Sequence, residues 1–130
     1  SEGSHSGEIR LCVEAGLPLS YLWQNLSARD RAITMFGKLR VWDTEANNGV
    51  LIYLLLADHA IEIVADRGID ARVGHDGWEK ICQQMETDFR AGDFERGVVK
   101  GVEAVSRELA THFPRRAGGP NELPDAPVVM

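Results

Sequence analysis

Five oxygen-bearing side chains, three carboxylates and two amides, stand in two short stretches of the chain and are the residues best suited to chemistry. They are Asp43, Asn47 and Asn48 in the first stretch and Asp66 and Asp70 in the second. Carboxylate and amide oxygens are the ligands that hard cations such as Ca²⁺ and Mg²⁺ take in proteins. The pattern suggests a divalent cation site. The alternative is an asparagine–glycine turn beside acids that are simply hydrated.

The two stretches meet only if the apolar segments between them form a hairpin. Residues 50–57 read VLIYLLLA, apolar at every position, which is typical of a strand buried on both faces. Residues 60–65 form a second β-type run, and only Asp58 and His59 separate the two runs, which predicts a tight turn. Such a hairpin brings Asp66 beside the start of its first strand, so both stretches lie at one end of the sheet.

A competing location for a site lies at the opposite end of the sheet. Ligands of parallel α/β folds bind outside the carboxyl ends of the strands, which here lie near Gly16 and Asp58. The histidines point to no further centre, because no pair has the close helical spacing of a zinc site. They are scattered along the chain as His5, His59, His75 and His112.

Apolar spacing and capping residues predict the remaining elements. Residues 8–15 alternate apolar and polar side chains, which predicts a strand with Ile9, Leu11 and Val13 on its core face. Four helices are expected. The first begins near Pro18, the second begins at Ala28 with the Ser27–Asp30 capping pattern, and the last two begin after Asp76 and after Asp93. Gly92 and Pro114 end the last two helices, and residues 66–74 form a loop.

The order of these elements predicts the fold class. A helical crossover makes the first two strands parallel, and the hairpin places the third strand antiparallel to the second. The expected fold is α/β, a three-layer α/β/α sandwich with a small mixed β-sheet. This domain spans residues 1–113, and a flexible tail rich in proline and glycine follows at 114–130. Gly97 and Gly101 should let another element approach the last helix closely.

Composition narrows the classes of function. The 130 residues include 14 Lys+Arg and 20 Asp+Glu, a net charge of -6, which fits one domain and argues against nucleic acid as a partner. The longest apolar run has eight residues, and a membrane-spanning helix needs about 20, so no direct membrane insertion is expected. The two cysteines, Cys12 and Cys82, should be free and buried.

The N-terminus carries no recognisable signal peptide, and we therefore expect a cytoplasmic location. The chain does not begin with Met, so a leader lost by truncation or processing would leave no trace in this sequence.

Several segments of the chain resemble the TPM domain family. Two of them are residues 39–58, LRVWDTEANNGVLIYLLLAD, and residues 61–69, IEIVADRGI. The helix expected at 78–89, with residues 90–94 and 101–105 after it, is similar to the C-terminal half of the family. The junction Asn-Asn-Gly-Val-Leu at 47–51 is the most specific part, and the resemblance covers about residues 7–113. It implies the same α/β/α sandwich. The chain departs from the family where a common Asp-Asn-Gly-Val reads Asn-Asn-Gly-Val, which removes one carboxylate, and the usual helix before the first strand is missing.

The resemblance implies two functions of different classes. The first is an accessory or interaction domain that binds a divalent cation and supports a membrane-associated partner, such as the LemA-like proteins whose genes commonly accompany TPM genes. The second is a metal-dependent acid phosphatase of low activity. Arg40, Arg67 and Arg72 are the cations available to hold phosphate oxygens. The chain has no phosphate-binding glycine-rich loop, and no catalytic residue is assigned.

Overall fold

The computed structural model describes residues 7–114, so the predicted tail lies outside the described residues except for Pro114. This part of the chain contains three strands and four helices. They are β1 (Glu8–Glu14), α1 (Leu19–Trp23), α2 (Ala28–Lys38), β2 (Gly49–Leu55), β3 (Ala60–Ala65), α3 (Arg67–Arg90) and α4 (Phe94–His112).

A three-stranded sheet in the order β1–β2–β3 lies at the centre. β1 runs parallel to β2, with Glu8 opposite Gly49, and β2 runs antiparallel to β3, with Val50 opposite Ala65. The parallel pair follows from the helical crossover through α1 and α2, and the antiparallel pair from the short turn at residues 56–59. The predicted mixed sheet is confirmed.

β2 is buried along its whole length and divides the interior into two apolar cores, because successive side chains of a strand point to opposite faces. One core packs against α3 and α4, and the other packs against α2. The β2 members are Val50, Ile52 and Leu54 in the first core and Leu51, Tyr53 and Leu55 in the second. Helices cover both faces of the sheet, which confirms the α/β/α sandwich.

The start of α3 corrects the sequence prediction of a loop at residues 66–74. The helix begins at Arg67, and the Asp66 side chain caps it by accepting a hydrogen bond from the Arg67 amide. Ile69 is fully buried and anchors the first turn in the core. Gly74 has φ 79° and ψ 166°, so Arg67–Arg90 consists of two helical segments joined at a kink. The cap and the buried isoleucine outweigh the glycine signals, which mark the kink instead.

The core face of β1 is only partly covered. Ile9 packs against the core under α3 and α4, but Leu11 and Val13 are nearly half exposed. β1 is an edge strand, and Leu109 of α4 lies against Gly7, directly before the strand begins. The predicted alternation is present, but the edge position limits how much of it is buried.

α3 and α4 pack against each other through glycine. A Cβ atom at Gly97 would overlap the Phe89 ring, and one at Gly101 would overlap the Met85 side chain. Both glycines are buried. The expected close approach of another element to α4 is confirmed, and that element is α3.

Candidate functional site

The asparagine turn and the start of α3 lie side by side at one end of the sheet. The Asp66 amide donates to the Gly49 carbonyl at 2.9 Å, and the Ile69 amide donates to the Asn47 carbonyl at 3.3 Å. Asn47 adopts φ 54°, a left-handed conformation that asparagine tolerates better than most residues. We call the surface formed by residues 46–49 and 66–69 the asparagine rim.

Glycine makes this close contact possible. A Cβ atom at Gly68 would lie 2.5 Å from the Asn47 carbonyl oxygen and would also overlap the Ala46 carbonyl oxygen. Any side chain at this position would push the helix start away from the turn. The asparagine rim is therefore a close backbone contact between the loop before β2 and the first turn of α3.

The three predicted carboxylate ligands have different surroundings. Asp43 accepts a hydrogen bond at 3.0 Å from Arg40, and both side chains are exposed. Asp66 accepts the capping hydrogen bond of α3 at 2.8 Å. Asp70 accepts a hydrogen bond at 2.8 Å from the Trp78 indole and lines a groove of about 370 Å³ beside β3. The Asp43 and Asp70 side chains are therefore both engaged with partners outside the asparagine turn.

The backbone of each asparagine makes a defined contact at this turn: the Asn47 carbonyl accepts a hydrogen bond from the Ile69 amide, and the Asn48 amide donates one. Asn48 is 1% exposed, and its amide donates to the Thr44 hydroxyl at 3.0 Å. Across residues 7–114, no group of three or more His, Cys, Asp and Glu side chains could hold a metal ion. The three predicted carboxylates, Asp43, Asp66 and Asp70, therefore do not form a metal-binding cluster by themselves. Only Asp66 and the asparagine turn share the rim, and cation binding there stays a prediction.

Two of the three candidate phosphate-binding cations have aromatic neighbours. The Arg40 guanidinium lies 5.4 Å from the centre of the Trp42 ring, and the Arg72 guanidinium lies 5.8 Å from that of Phe113. Arg67 is exposed at the start of α3. Because Arg40 also donates to Asp43, phosphate binding there would compete with an existing ion pair.

At the opposite end of the sheet, the competing location for a site, a hydrogen-bonded network surrounds the Glu14 carboxylate. Arg31 donates two hydrogen bonds of 2.9 Å to the Glu14 carboxylate, and the Tyr53 hydroxyl donates a third at 2.7 Å. The Arg31 guanidinium lowers the pKa of Glu14 to about 2, while burial raises the pKa of Tyr53 above its ordinary value. A carboxylate with these partners is a poor general base near neutral pH, so the network fastens β1, β2 and α2 together.

Neither cysteine provides a reactive nucleophile. Cys12 and Cys82 are free, as predicted, although each is only partly buried. Burial raises the pKa of the Cys82 thiol to about 12 and also raises the pKa of Cys12. A thiol must lose its proton to attack an electrophile, so both remain unreactive at neutral pH.

The surface that sequence reasoning missed lies on α1. Three large apolar side chains of α1 are exposed to solvent, and so is Leu26, which lies three residues beyond the end of the helix. The signal in the sequence was the spacing of i, i+3 and i+4 for the three residues on the helix. The exposed fractions are 65% for Leu19, 58% for Leu22, 82% for Trp23 and 37% for Leu26. We call these four residues the α1 anchors.

Polar contacts hold α1 in place from its other side. The Tyr21 hydroxyl donates to the Thr34 hydroxyl at 2.9 Å, and the Arg31 guanidinium lies 5.2 Å from the centre of the Tyr21 ring. The Leu26 amide closes the helix end by donating to the Tyr21 carbonyl at 2.8 Å. Tyr21 therefore ties α1 to α2 while the anchors stay exposed.

No helix within residues 7–114 is both long enough and apolar enough to cross a membrane.

Comparison with known proteins places these features in context. A family model described as the TPM domain matches residues 2–108. The chain is similar to the BA42 protein from the psychrophilic bacterium Bizionia argentinensis, with 33% identity, a TM-score of 0.77 and coverage of 89% of this chain and 75% of that one. It shares its fold with the N-terminal domain of a protein from P. gingivalis, with 18% identity, a TM-score of 0.67 and coverage of 86% and 71%. No curated protein matches the chain.

Proposed function

Because the chain belongs to the TPM domain family, we propose that it is a non-enzymatic interaction domain that binds a membrane-associated protein partner through the α1 anchors. The observation that carries this proposal is the exposure of four large apolar side chains on one short segment, with Trp23 exposed by 82%. Apolar side chains grouped on a surface in this way are typical of protein-binding sites.

The spacing of the anchors supports an apolar groove as the complementary surface on the partner. Helices that bind grooves present apolar residues at i, i+3 and i+4, which is the spacing of Leu19, Leu22 and Trp23 on α1. Leu26 follows the end of the helix and is also exposed. Tryptophan is among the residues that contribute most to binding energy at protein interfaces. Residues 15–28 contain no charged side chain, so charge plays little part in recognition.

The partner we propose is a LemA-like protein. The family resemblance suggests this partner, and the cytoplasm is the compartment we propose for the contact. The free thiols of Cys12 and Cys82 fit a reducing compartment.

Titration of the chain against its LemA-like protein tests this proposal. Trp23→Ala should weaken binding about thirtyfold, because truncating a central tryptophan removes a dominant contact. Val99→Ala, which removes an exposed apolar side chain of α4, is the matched control and should leave the affinity unchanged. Binding should also vary little with salt concentration. Equal affinity of native chain and Trp23→Ala would overturn the proposal.

A second candidate function is binding of Ca²⁺ or Mg²⁺ at the asparagine rim. The hydrogen bonds from Asp66 to Gly49 and from Ile69 to Asn47 favour it, because they bring a carboxylate next to the carbonyls of the turn. Asp66 and the backbone of the turn are the donors we propose. Asp43, Asn48 and Asp70 would have to change their present contacts to join them.

Thermal melts with and without each cation test this second function. A ligand that binds only the folded state raises its stability, by about 2.7 kcal/mol at a concentration one hundred times the dissociation constant. Asp66→Asn keeps a helix-capping side chain but removes the charge, so it should abolish the cation-dependent rise in melting temperature. Asp58→Asn in the hairpin turn removes a charge from the other end of the sheet and should preserve that rise.

A phosphatase assay of the native chain and of Asp66→Ala, with and without each cation, distinguishes the interaction domain from a metal-dependent acid phosphatase. Hydrolysis of a generic phosphate ester that requires Ca²⁺ or Mg²⁺ and disappears in Asp66→Ala would support the enzyme. We expect only background hydrolysis, independent of metal and of this substitution.

A further inference from the structure

The turn between α3 and α4 and the end of β2 line an apolar cavity that is open to solvent on one side and that the proposed function does not use. Its volume is about 140 Å³. It is lined by Leu54, Leu55, Leu56, His59, Ala60, Phe89, Gly92 and Phe94, and we call it the hairpin-tip cavity. It lies near the tip of the β2–β3 hairpin, at the end of the sheet away from the asparagine rim.

The inner wall of this cavity belongs to the buried framework of the fold. Leu54 and Leu55 are each 1% exposed and belong to the fully buried β2. The Phe89 and Phe94 rings stack with their centres 4.9 Å apart, and the close approach of Gly97 to the Phe89 ring holds that ring in place. Phe94 and Leu56 are both exposed, so the cavity opens to solvent between them.

The lining determines the chemistry of the ligand. His59 is the one residue among the eight that can carry a charge, so a charged group inside would be stripped of water without a counter-ion. A dry cavity of about 150 Å³ lined by leucine, isoleucine and phenylalanine accommodates benzene. A ring inside this cavity would contact the stacked phenylalanines at a distance favourable for aromatic pairs.

A second cavity gives the ligand room for a polar group. It has a volume of about 500 Å³, shares His59 and Phe89 with the first, and is also lined by Glu86 and Arg90. Glu86 and Arg90 form only a long ion pair, 4.0 Å apart, with both side chains exposed. Donors and acceptors are thus available directly outside the apolar cavity.

We propose that the hairpin-tip cavity binds a small, uncharged aromatic molecule, with a single ring system inside and a short polar substituent at the mouth near His59. This site is separate from the α1 anchors and from the asparagine rim. Indole and p-cresol are suitable probes, because each combines one small ring system with one hydrogen-bonding group.

NMR titration of the ¹⁵N-labelled full chain with indole and p-cresol tests the proposal. We expect saturable shifts of the amide signals of residues 54–60 and 89–94. Phe94→Ala removes a wall and should weaken indole binding about tenfold. Phe94→Trp fills the space and should weaken it similarly while keeping an aromatic side chain, so a loss in both variants does not depend on a folding defect. Ile33→Ala, an exposed change on α2, should bind as the native chain does.

The proposal is overturned if indole causes no saturable shifts at the cavity, or if both Phe94 variants bind it as tightly as the native chain. Tighter binding of N-acetyl-tryptophanamide than of indole would also overturn it, since the occupant would then be a side chain of a protein. Neither Phe94 variant should alter binding of a LemA-like protein, so failure of this proposal and failure of the α1 proposal are distinguishable.

Discussion

Glu14 shows how one side chain can join three elements. Glu14 is the last residue of β1, and its carboxylate accepts hydrogen bonds from Arg31 of α2 and Tyr53 of β2. The Arg31 side chain is 13% exposed, so water competes weakly for the ion pair. Most surface ion pairs contribute little to stability, but a partly buried pair with two parallel hydrogen bonds and a third donor belongs to a stronger class.

We expect stability to fall in acid because of this carboxylate. Its pKa is about 2 in the folded chain against an ordinary value of 4.5. The contribution is therefore complete above about pH 4.5 and is lost as pH falls toward 2. Glu14→Gln should lower the free energy of unfolding at neutral pH by roughly 1–3 kcal/mol, and its deficit relative to the native chain should shrink below pH 4.5.

Urea unfolding at a series of pH values measures this effect. Glu45→Gln removes the same charge from an exposed loop position and is the control. A deficit for Glu14→Gln that stayed constant from pH 7 to pH 3 would contradict the assignment of the pH dependence to Glu14.

Gly37 and Gly97 both lie in helices, but adding a Cβ atom at the two positions should have opposite effects on stability. Glycine inside a helix usually lowers stability relative to alanine, by roughly 0.5–1 kcal/mol. At Gly37 near the end of α2, an added Cβ would meet no atom within 4 Å. At Gly97 of α4, it would lie 2.6 Å from the Phe89 ring and 3.2 Å from the Met85 carbonyl oxygen. Packing of α3 against α4 therefore reverses the local preference at Gly97 but not at Gly37.

We expect Gly97→Ala to destabilise the chain by roughly 1–3 kcal/mol, because the added methyl group overlaps a packed ring and backbone. Gly37→Ala is the matched substitution and should be neutral or stabilising by up to about 1 kcal/mol, since it only raises helix propensity. Thermal and chemical unfolding of both variants measure the difference. A gain in stability for Gly97→Ala would show that α3 and α4 are not in the close contact described.

The molecule has two apolar cores that share one strand. β2 contributes alternate side chains to the core under α3 and α4 and to the core against α2. Neither core can lose β2 without exposing the other, so the described part of the chain should unfold as a unit. The α1 anchors, the asparagine rim and the hairpin-tip cavity all lie on this single framework.

Truncation in either core should therefore lower the same transition. Leu54→Ala faces α3 and α4, Leu51→Ala faces α2, and each should cost about 2–5 kcal/mol, because both side chains are fully buried. Circular dichroism and tryptophan fluorescence, in which the buried Trp78 reports on one core, should give coincident midpoints for each variant. Separate transitions for the two probes would mean that the cores fold independently.

The pattern of residues along the chain was sufficient for the elements and their order. Continuous apolarity in β2, the Ser27–Asp30 capping box and the stripe of α4 are local signals, and each predicted its element. The start of α3 could not be predicted in this way, because burial of Ile69 depends on where the sheet lies. Local propensity is only a weak determinant when tertiary burial opposes it.

The sites likewise differ in how much of each could be predicted from the sequence. The two apolar runs and the short turn between them were enough to predict that Asp66 lies beside the asparagine turn. The sequence did not show that the Asp43 carboxylate contacts Arg40 or that the Asp70 carboxylate contacts Trp78. Exposure of the α1 anchors, and the cavity between Phe89 and Phe94, arise only when separate elements pack. Spacing in sequence specifies which side chains share a face, and the folded arrangement alone determines whether that face is covered.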